Sequence, residues 1–319
     1  MTGDTREQVV LAEALADFLR RVRHGVEEGL DPLAAAQTAA AGLPSRLRSA
    51  VEAAAARLRG EYHEDEWGFD EQFAEAVYPV FEFLYDVWWR VEADGIRNVP
   101  AHGRALLVAN HAGSLFPFDA AMMTMAIMKE HALPRWPRFM VLDWAFELPF
   151  LSSFMRRCGG VPASPHNATR LLFEDELVMV FPEGVKGTGK PFSERYRVQR
   201  FGRGGFVEIA LRTGAPIVPV AVVGSEEIYP KLGDSQTLAR AVGAPYVPIT
   251  PTFPWLGPLG LVPLPARWRI EFCEPIEVAG HDPDGADDRR VVLDLSEQVR
   301  ETIQEKLYEN LVKRRSAFL

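Results

Sequence analysis

The feature of this sequence that most restricts its fold is a series of short apolar runs separated by stretches with helical character. The runs are RALLVAN, RFMVL, LVMVFP, PIVPVAVVG and RWRIEFC. They are continuously apolar, which is typical of strands covered on both faces in a parallel sheet. Helices are predicted between them by DAAMMTMAIMKEHAL, HNATRLLFED and GFVEIALRTG, and a long helix is predicted at the end of the chain. This alternation predicts an α/β domain over 95–319, with a mostly parallel central sheet flanked by helices.

Residues 1–94 predict an N-terminal extension that is entirely helical. A first helix is expected after Asp4, a second after Asp31 and Pro32, and an alanine-rich third over 45–60. Asp at a cap and Pro at the first helical position are both typical of helix starts. The extension contains no residues that suggest chemistry, and it is a candidate membrane-docking region.

The segment DEQFAEAVYPVFEFLYDVWWRV, residues 70–91, places aromatic and apolar side chains at three- and four-residue steps. This spacing indicates one face of a helix, in which Pro79 predicts a kink or a join. The face either seats the helix on the sheet or touches lipid, because Trp and Tyr favour the membrane interface. The two alternatives are compatible, and the sequence leaves both open.

Composition limits the class of partner and the compartment. The net charge of −9 argues against general nucleic-acid binding, which requires a basic surface. Cys158 and Cys273 are far apart and form no zinc or disulfide pattern, which fits a reducing cytosol. The sequence has neither a signal peptide pattern nor an apolar run long enough for a transmembrane helix. We therefore expect a cytoplasmic protein that contacts the inner face of the cell membrane peripherally.

The segment VANHAGSLFPFDAAMM, residues 108–123, is the strongest candidate for a catalytic site. His111 directly follows a predicted strand, and Asp119 is the next carboxylate along the chain. A neutral imidazole can take a proton from an attacking hydroxyl, and a carboxylate on its other nitrogen fixes the tautomer. The alternative is a structural histidine at a strand end, beside an aspartate that caps a helix.

Two further blocks follow in a fixed order, FPEG at 181–184 and PIVPVA at 216–221. Together with NH…D they resemble the PlsC-type glycerolipid acyltransferases over about residues 95–275. The resemblance implies transfer of a fatty acyl group from acyl-CoA or acyl-carrier protein to the hydroxyl of a lysophospholipid or other glycerolipid. It also implies a membrane-associated enzyme without a metal or redox cofactor. His111 then corresponds to the general base and Asp119 to its orienting partner.

The spacing of the histidine and the aspartate departs from the family pattern. Seven residues lie between His111 and Asp119, where the usual pattern has four. Gly113 and Pro117 suit a bulged turn that returns Asp119 to the imidazole. The longer spacing resembles diverged branches linked to neutral lipids or waxes, so the alternative acceptor is diacylglycerol or a fatty alcohol. A non-catalytic lipid-binding protein and a thioesterase with His111 activating water are further alternatives.

The FPEG block predicts two residues that contact substrate. Glu183 emerges at a strand end, where it can accept a hydrogen bond from an acceptor hydroxyl or form a structural ion pair. Gly184 allows close backbone approach, and its N–H is a candidate donor to a developing oxyanion.

Basic side chains near this turn predict a binding surface for the phosphates of coenzyme A or of a lipid headgroup. Lys186 replaces the family's Arg and lacks its bidentate fork. The alternative is a solvated basic loop. The candidate ligands of a phosphate or headgroup are Lys186, Lys190, Arg195, Arg156 and Arg157.

Residues 244–265 contain seven prolines among apolar and aromatic residues. Such a segment is incompatible with a long helix or a central strand. It lines the acyl groove, dips into a bilayer or covers the core, and the sequence does not separate these alternatives.

Overall fold

The computed structural model describes residues 17–43, 48, 51–52, 55, 60, 63–113, 118–147, 150–243, 246–278, 280, 283–314 and 316–318. The chain divides into two compact units. The N-terminal unit comprises Met1–Glu82 with Arg156–Cys158, and the second unit comprises Phe83–Met155 with Gly159–Leu319.

Helices account for much of the described N-terminal unit. They are α1 (17–27), α2 (Pro32–Ala40) and α3 (Glu71–Phe83). Asp31 accepts a hydrogen bond from the backbone N of Ala34 at 3.2 Å, which confirms its role as a cap. Helix α3 continues through Pro79 and is followed by a π-helical turn over Leu84–Trp88. The predicted start of the first helix and most of 45–60 lie outside the described residues.

A seven-stranded sheet forms the centre of the second unit, in the order β1-β9-β6-β2-β5-β3-β4. Its neighbouring strands are parallel except for β6 and β9. The strands are β1 (Glu92–Asp94), β2 (Ala105–Ala109), β3 (Arg138–Val141), β4 (Gly160–Pro162), β5 (Leu177–Val180), β6 (Ile217–Val223) and β9 (Arg269–Phe272). A separate antiparallel pair contains β7 (Gly233–Asp234) and β8 (Pro248–Ile249).

Helices flank this sheet and connect its parallel strands. They are α4 (Phe118–Glu130), α5 (Asp143–Glu147), α6 (Leu151–Arg157), α7 (Pro165–Phe173), α8 (Val185–Thr188), α9 (Gly205–Thr213), α10 (Gln236–Val242) and α11 (Arg289–Lys313). All residues of β2 and β6 are buried, as expected for strands covered on both faces. The predicted α/β fold with its mostly parallel sheet and N-terminal helices is confirmed.

The predicted boundary at residue 94 differs from the division in the structure. Strand β1, which the sequence analysis assigned to the extension, pairs in parallel with β9 from Glu92 to Asp94. The compact unit that contains the sheet therefore begins at Phe83. A three-residue strand gives no periodic signal, and its pairing partner lies far along the chain.

Two buried tryptophans, each shortly before one of the paired strands β1 and β9, pack against each other. Trp89 and Trp268 are fully buried, and their rings stack with centroids 4.9 Å apart. Trp89 also meets the ring of Phe118 edge-on at 5.0 Å, at the start of α4. This aromatic contact joins the edge of the sheet to the helix that carries Asp119.

No helix in the described part of the chain is both long and apolar enough to span a bilayer.

We expect Trp268→Ala to lower the free energy of unfolding by about 3–5 kcal/mol, because it empties a fully packed site. Among the described residues the buried indole N–H has no hydrogen-bond partner, so the loss comes from packing. Urea denaturation measures it. Trp255→Ala, at a tryptophan that is 72% exposed, serves as the control and should change stability by less than about 0.5 kcal/mol. Equal effects of the two substitutions would contradict the packing argument.

Candidate active site

The histidine and aspartate singled out in the sequence meet at the carboxyl end of β2. His111 follows this strand, and Asp119 stands in the first turn of α4. Nδ1 of His111 lies 2.7 Å from Oδ2 of Asp119. The Asp119 side chain is 0% exposed and that of His111 is 13% exposed. The longer spacing in the sequence therefore still brings the carboxylate to the imidazole.

Three hydrogen bonds hold the Asp119 carboxylate in place. Besides the imidazole, Oδ2 accepts from the backbone N of Ala112 at 3.1 Å and Oδ1 accepts from that of Ala120 at 2.9 Å. An ionised carboxylate only accepts, so its contact with the ring places the proton of His111 on Nδ1. Nε2 then carries a lone pair, and it has no hydrogen-bond partner among the described residues. Nε2 is therefore the atom that can receive a proton.

Asn110 anchors the loop that carries the histidine. Its side-chain amide is fully buried, donates to the carbonyl of Val222 at 3.0 Å and accepts from the N of Val222 at 2.8 Å. The amide thereby extends the pairing of β2 with β6 beyond Ala109. Gly113 then adopts a φ of 98°, which suits the predicted turn, whereas Pro117 lies outside the described residues.

Glu183 is a buried anchor of this loop, and its role as a substrate ligand stays a prediction. Its Oε1 accepts from the backbone N of His111 at 2.8 Å, and its Oε2 accepts from that of Gln199 at 2.6 Å. The carboxylate is 0% exposed, and both oxygens are engaged by protein donors. The structural ion pair considered for this residue is present, because Nζ of Lys190 lies 3.4 Å from Oε2.

Lys190 is a buried counter-charge, and its role as a phosphate ligand stays a prediction. Its Nζ lies 2.8 Å from Oε1 of Glu226 and donates to the carbonyl of Arg197 at 3.1 Å. Burial alone would lower the pKa of the ammonium, but the carboxylates of Glu226 and Glu183 overcome this and raise its pKa. The protein itself therefore supplies the anions that this lysine was expected to bind.

The two glycines around α8 have different roles. The N–H of Gly184 donates to the carbonyl of Phe181 at 2.9 Å, so it is engaged in a turn, and its role as an oxyanion donor stays a prediction. Gly187 lies against the catalytic loop, where a Cβ would come within 2.6 Å of Cβ of Glu183 and 2.9 Å of the carbonyl O of His111. The sequence analysis missed Gly187, because its glycine-rich surroundings give no reason to single it out.

An apolar cavity of about 370 Å³ opens beside the imidazole. Its walls come from the sheet, from α4 to α9 and from the turn after β5. The ring of Phe181 stacks on His111 with centroids 4.5 Å apart. Tyr246, from the proline-rich segment, also lines the cavity, and burial raises the pKa of its hydroxyl. Lining residues include Phe139, Val141, Trp144, Met155, Val180 and Phe206.

The remaining predicted cations do not line this cavity. Lys186 is exposed on α8. Arg195 is exposed as well, and its guanidinium lies 4.4 Å from the ring centroid of Phe192. The described lining residues contain one arginine, Arg203, which was not among the candidate ligands predicted from the sequence.

Arg156 and Arg157 belong to the N-terminal unit. Arg157 donates from Nε to Oε1 of Glu64 at 3.0 Å, and its guanidinium lies 5.7 Å from the ring centroid of Phe73. Arg156 packs along Gly68. Their roles as phosphate or headgroup ligands stay predictions.

The described residues contain no group of three or more His, Cys, Asp or Glu side chains that could hold a metal ion.

Comparison with known proteins places this site in a family. The sequence profile of the Acyltransferase family matches residues 90–223. A protein of Mycobacterium tuberculosis, named only as uncharacterised, is 48% identical over 310 residues, which cover 96% of this chain and 86% of that protein. The crystal structure of the 1-acyl-sn-glycerophosphate acyltransferase PlsC from Thermotoga maritima has the same fold, with a TM-score of 0.52. The chain belongs to the Acyltransferase family, and its fold is that of the PlsC glycerolipid acyltransferase.

The similarity between this acyltransferase and the Thermotoga maritima structure covers 85% of the chain and 92% of that structure, at 18% identity. A second named relative is phytyl ester synthase 2 of Arabidopsis thaliana. It is 26% identical over 253 residues, which cover 69% of the acyltransferase and 34% of the plant protein. The resemblance seen in the NH…D, FPEG and PIVPVA blocks is thereby confirmed at the level of the family.

We expect Gly187→Ala to lower activity strongly, because the added methyl displaces the His111 loop or Glu183. The matched control is Gly233→Ala, where a Cβ meets no atom within 4 Å. The test measures acyl transfer and thermal unfolding for both variants. Retention of full activity by Gly187→Ala would contradict the tight contact with His111.

We expect Lys190→Met to cost about 3–5 kcal/mol, because it leaves two buried carboxylates without their counter-charge. Adding Glu226→Gln should recover part of the loss, as expected of coupled residues. Denaturant titrations of the single and double variants measure the coupling.

The same cluster predicts a pH dependence in the wild type. Because the folded-state pKa of Lys190 is raised, its stabilisation is present below the ordinary lysine pKa of about 10.4 and is lost as the pH rises through the raised value. Lys190→Met should lack this component of the alkaline loss. Identical alkaline profiles for wild type and variant would contradict the assignment.

Proposed function

We propose that this acyltransferase moves a fatty acyl group from a thioester to the hydroxyl of a lipid, with His111 as the general base and Asp119 as its orienting partner. The observation that supports this most directly is the 2.7 Å contact between the two side chains, with His111 on the wall of an apolar cavity. The pair supplies a lone pair on Nε2, and the cavity supplies an apolar environment for a hydrocarbon chain.

The reaction can be written with this chain's own residues. The acceptor hydroxyl attacks the thioester carbonyl carbon while its proton passes to Nε2 of His111, a contribution worth about 10²–10⁴ in rate. The carboxylate of Asp119 stabilises the imidazolium that forms. The new C–O bond forms, the C–S bond breaks, and the imidazolium returns the proton to the departing thiolate. No oxidation state changes, so we propose a reaction without a metal or redox cofactor.

We propose acyl-CoA as the donor, with acyl-carrier protein as the alternative thioester carrier. The acyl chain would lie in the cavity, whose walls are apolar near Phe139, Met155 and Phe206. Arg203 is the lining cation that could meet a phosphate of the donor.

Two acceptor classes fit the family: a lysophospholipid or other phosphorylated glycerolipid, and a neutral lipid alcohol such as diacylglycerol or a fatty alcohol. The arrangement of charges favours the neutral alcohol. Lys190 is held by Glu226 and Glu183, and neither Lys186 nor Arg195 is among the described residues that line the cavity. Arg203 is the one Arg or Lys among those residues, and we assign it to the donor, which leaves no second lining cation for the acceptor. A phosphorylated acceptor requires a cation that is free to bind it. The plant relative is named for the synthesis of phytyl esters, whose alcohol component carries no charge.

The acceptor's location implies that of the enzyme. Lipid alcohols reside in membranes, so we propose that the protein works as a peripheral protein on the inner face of the cell membrane. A docking role for the helices within the predicted extension over 1–94 remains a proposal.

We expect His111→Ala and Asp119→Asn each to lower kcat by about 10²–10⁴, because the first removes the base and the second removes the acceptor that fixes its tautomer. The matched control is His102→Ala, at an exposed histidine in the turn before β2, which should leave kcat unchanged. Circular dichroism would check that the variants remain folded. Unchanged turnover in folded His111→Ala would exclude this base.

The acceptor is tested with labelled acyl-CoA and a panel of diacylglycerol, a fatty alcohol, lysophosphatidate and no acceptor. We expect an ester product with the neutral alcohols, and thiol release that depends on them. Product from lysophosphatidate alone would overturn the neutral acceptor while keeping the proposed base. Equal thiol release without acceptor would favour a thioesterase, and no release from any mixture would favour a lipid-binding protein.

A further inference from the structure

The sequence between Arg240 and Arg267 contains no Asp, Glu, Lys, Arg or His, although charged residues make up 25% of the chain. Within this uncharged segment, residues 252–262 form a compact projection. Leu256 N donates to the carbonyl of Thr252 at 2.9 Å, Gly257 N to that of Pro254 at 2.9 Å, and the turn of 3₁₀ helix over Gly257–Leu261 follows directly. The projection is therefore a built element with paired backbone groups.

The large side chains of this projection face solvent instead of the core. Trp255 is 72% exposed and Leu259 is 73% exposed, and the other exposed members are Leu256, Leu261 and Val262. Exposing several large apolar side chains together costs free energy in water, and such a patch typically marks a contact surface. We call these five residues the apolar tip.

The π-helical turn over Leu84–Trp88 adds to the same surface. The indole N–H of Trp88 donates to the carbonyl of Pro263 at 3.0 Å, directly after the apolar tip. Phe83 lies beside Trp88 with ring centroids 6.5 Å apart, and both Phe83 and Val87 are exposed. The one acid of this turn, Asp86, is paired with Lys129 at 2.6 Å. The turn and Phe83 therefore add exposed aromatic and apolar side chains to this surface, and the one charged residue of the turn is paired.

This surface is connected to the catalytic pair through intervening residues. The indole N–H of Trp89 donates to the carbonyl of Leu264 at 3.1 Å, and its ring packs on Phe118, the residue before Asp119. Upstream of the tip, Tyr246 belongs to the same uncharged segment and lines the acyl cavity with His111. The segment therefore reaches from the cavity wall to the exposed tip.

We propose that the apolar tip, with Phe83 and Val87, docks this enzyme on a lipid bilayer by inserting into its uncharged interfacial layer. This inference rests on the proposed lipid acceptor, which has to enter the cavity from a membrane. Trp and Leu on a stiff, uncharged projection match the interfacial layer, where aromatic rings are favoured. Because the tip has no cation, the docking depends on apolar contact and not on anionic headgroups.

The apolar tip is uncharged, whereas the loop over 186–203 is basic, so the two surfaces would bind membranes under different conditions. Docking through that loop would need anionic lipid and would weaken in salt, since salt shortens the Debye length from about 10 Å at 0.1 M to about 3 Å at 1 M. Docking through the apolar tip should instead occur on phosphatidylcholine alone and persist in high salt. The two surfaces therefore predict opposite responses.

The experiment uses the full chain and extruded vesicles of phosphatidylcholine, with and without phosphatidylglycerol, at low and high salt. Flotation should give equal binding in all four conditions. The double variant Trp255→Ser with Leu259→Ser should bind at least about tenfold more weakly, because two large side chains no longer leave water. The control pair, Leu133→Ser with Val312→Ser, removes exposed apolar residues elsewhere and should bind as the wild type does.

Activity measurements distinguish a failure of the docking surface from a failure of the proposed acyl transfer. With acceptor dissolved in detergent micelles, the double variant should turn over at the wild-type rate, whereas with acceptor in vesicles it should lose activity in proportion to binding. Wild-type binding by the double variant, or binding only to anionic vesicles at low salt, would overturn the docking surface. A wild-type dimer that the double variant converts to monomer would assign the tip to a second copy of the chain instead. Vesicle binding without any turnover would leave the docking surface standing and refute only the acyl transfer.

Discussion

The active site depends on one buried carboxylate, that of Glu183. It joins the backbone of His111 to that of Gln199 and lies against Lys190, so it connects three loops that are distant in sequence. A buried carboxylate is costly unless its oxygens are paired, and here each oxygen meets a backbone N–H. This desolvation cost also fixes the position of the Glu183 carboxylate, because a shift of any of the three loops would leave its charge unpaired.

The sequence was sufficient to predict those parts of the structure that have a local signal. Strands β2, β5 and β6 are continuous apolar runs because both of their faces are covered. Helices α4 and α9, of 13 and 9 residues, are long enough to be predicted between the strands. Strands β1 and β4 have three residues each, and their pairing with β9 and β3 is a tertiary event that no window of sequence reports.

The site divides along a similar line. His111 and Asp119 could be predicted because their chemistry requires particular residue types after a strand. The roles of Glu183 and Lys190 could not, because an acid and a base near a strand end look alike whether they meet substrate or each other. Glu226, the partner of Lys190, lies 36 residues further along the chain, and nothing in the sequence links the two residues. Gly187 is recognisable only from the atoms that a side chain there would strike.

The side-chain amide of Asn110 helps the loop after β2 to tolerate changes in its length. By bonding both backbone groups of Val222, it fixes the histidine to the sheet. The aspartate is fixed separately, by the helix that begins at Phe118. The strand and the helix thus fix the two ends of the connection, and the hydrogen bond from the N of Ala112 to Asp119 joins them, so the length of the connecting peptide does not by itself set the distance between the partners. Insertions could accumulate in that connection during divergence, changing what borders the catalytic centre while its working distance stayed constant.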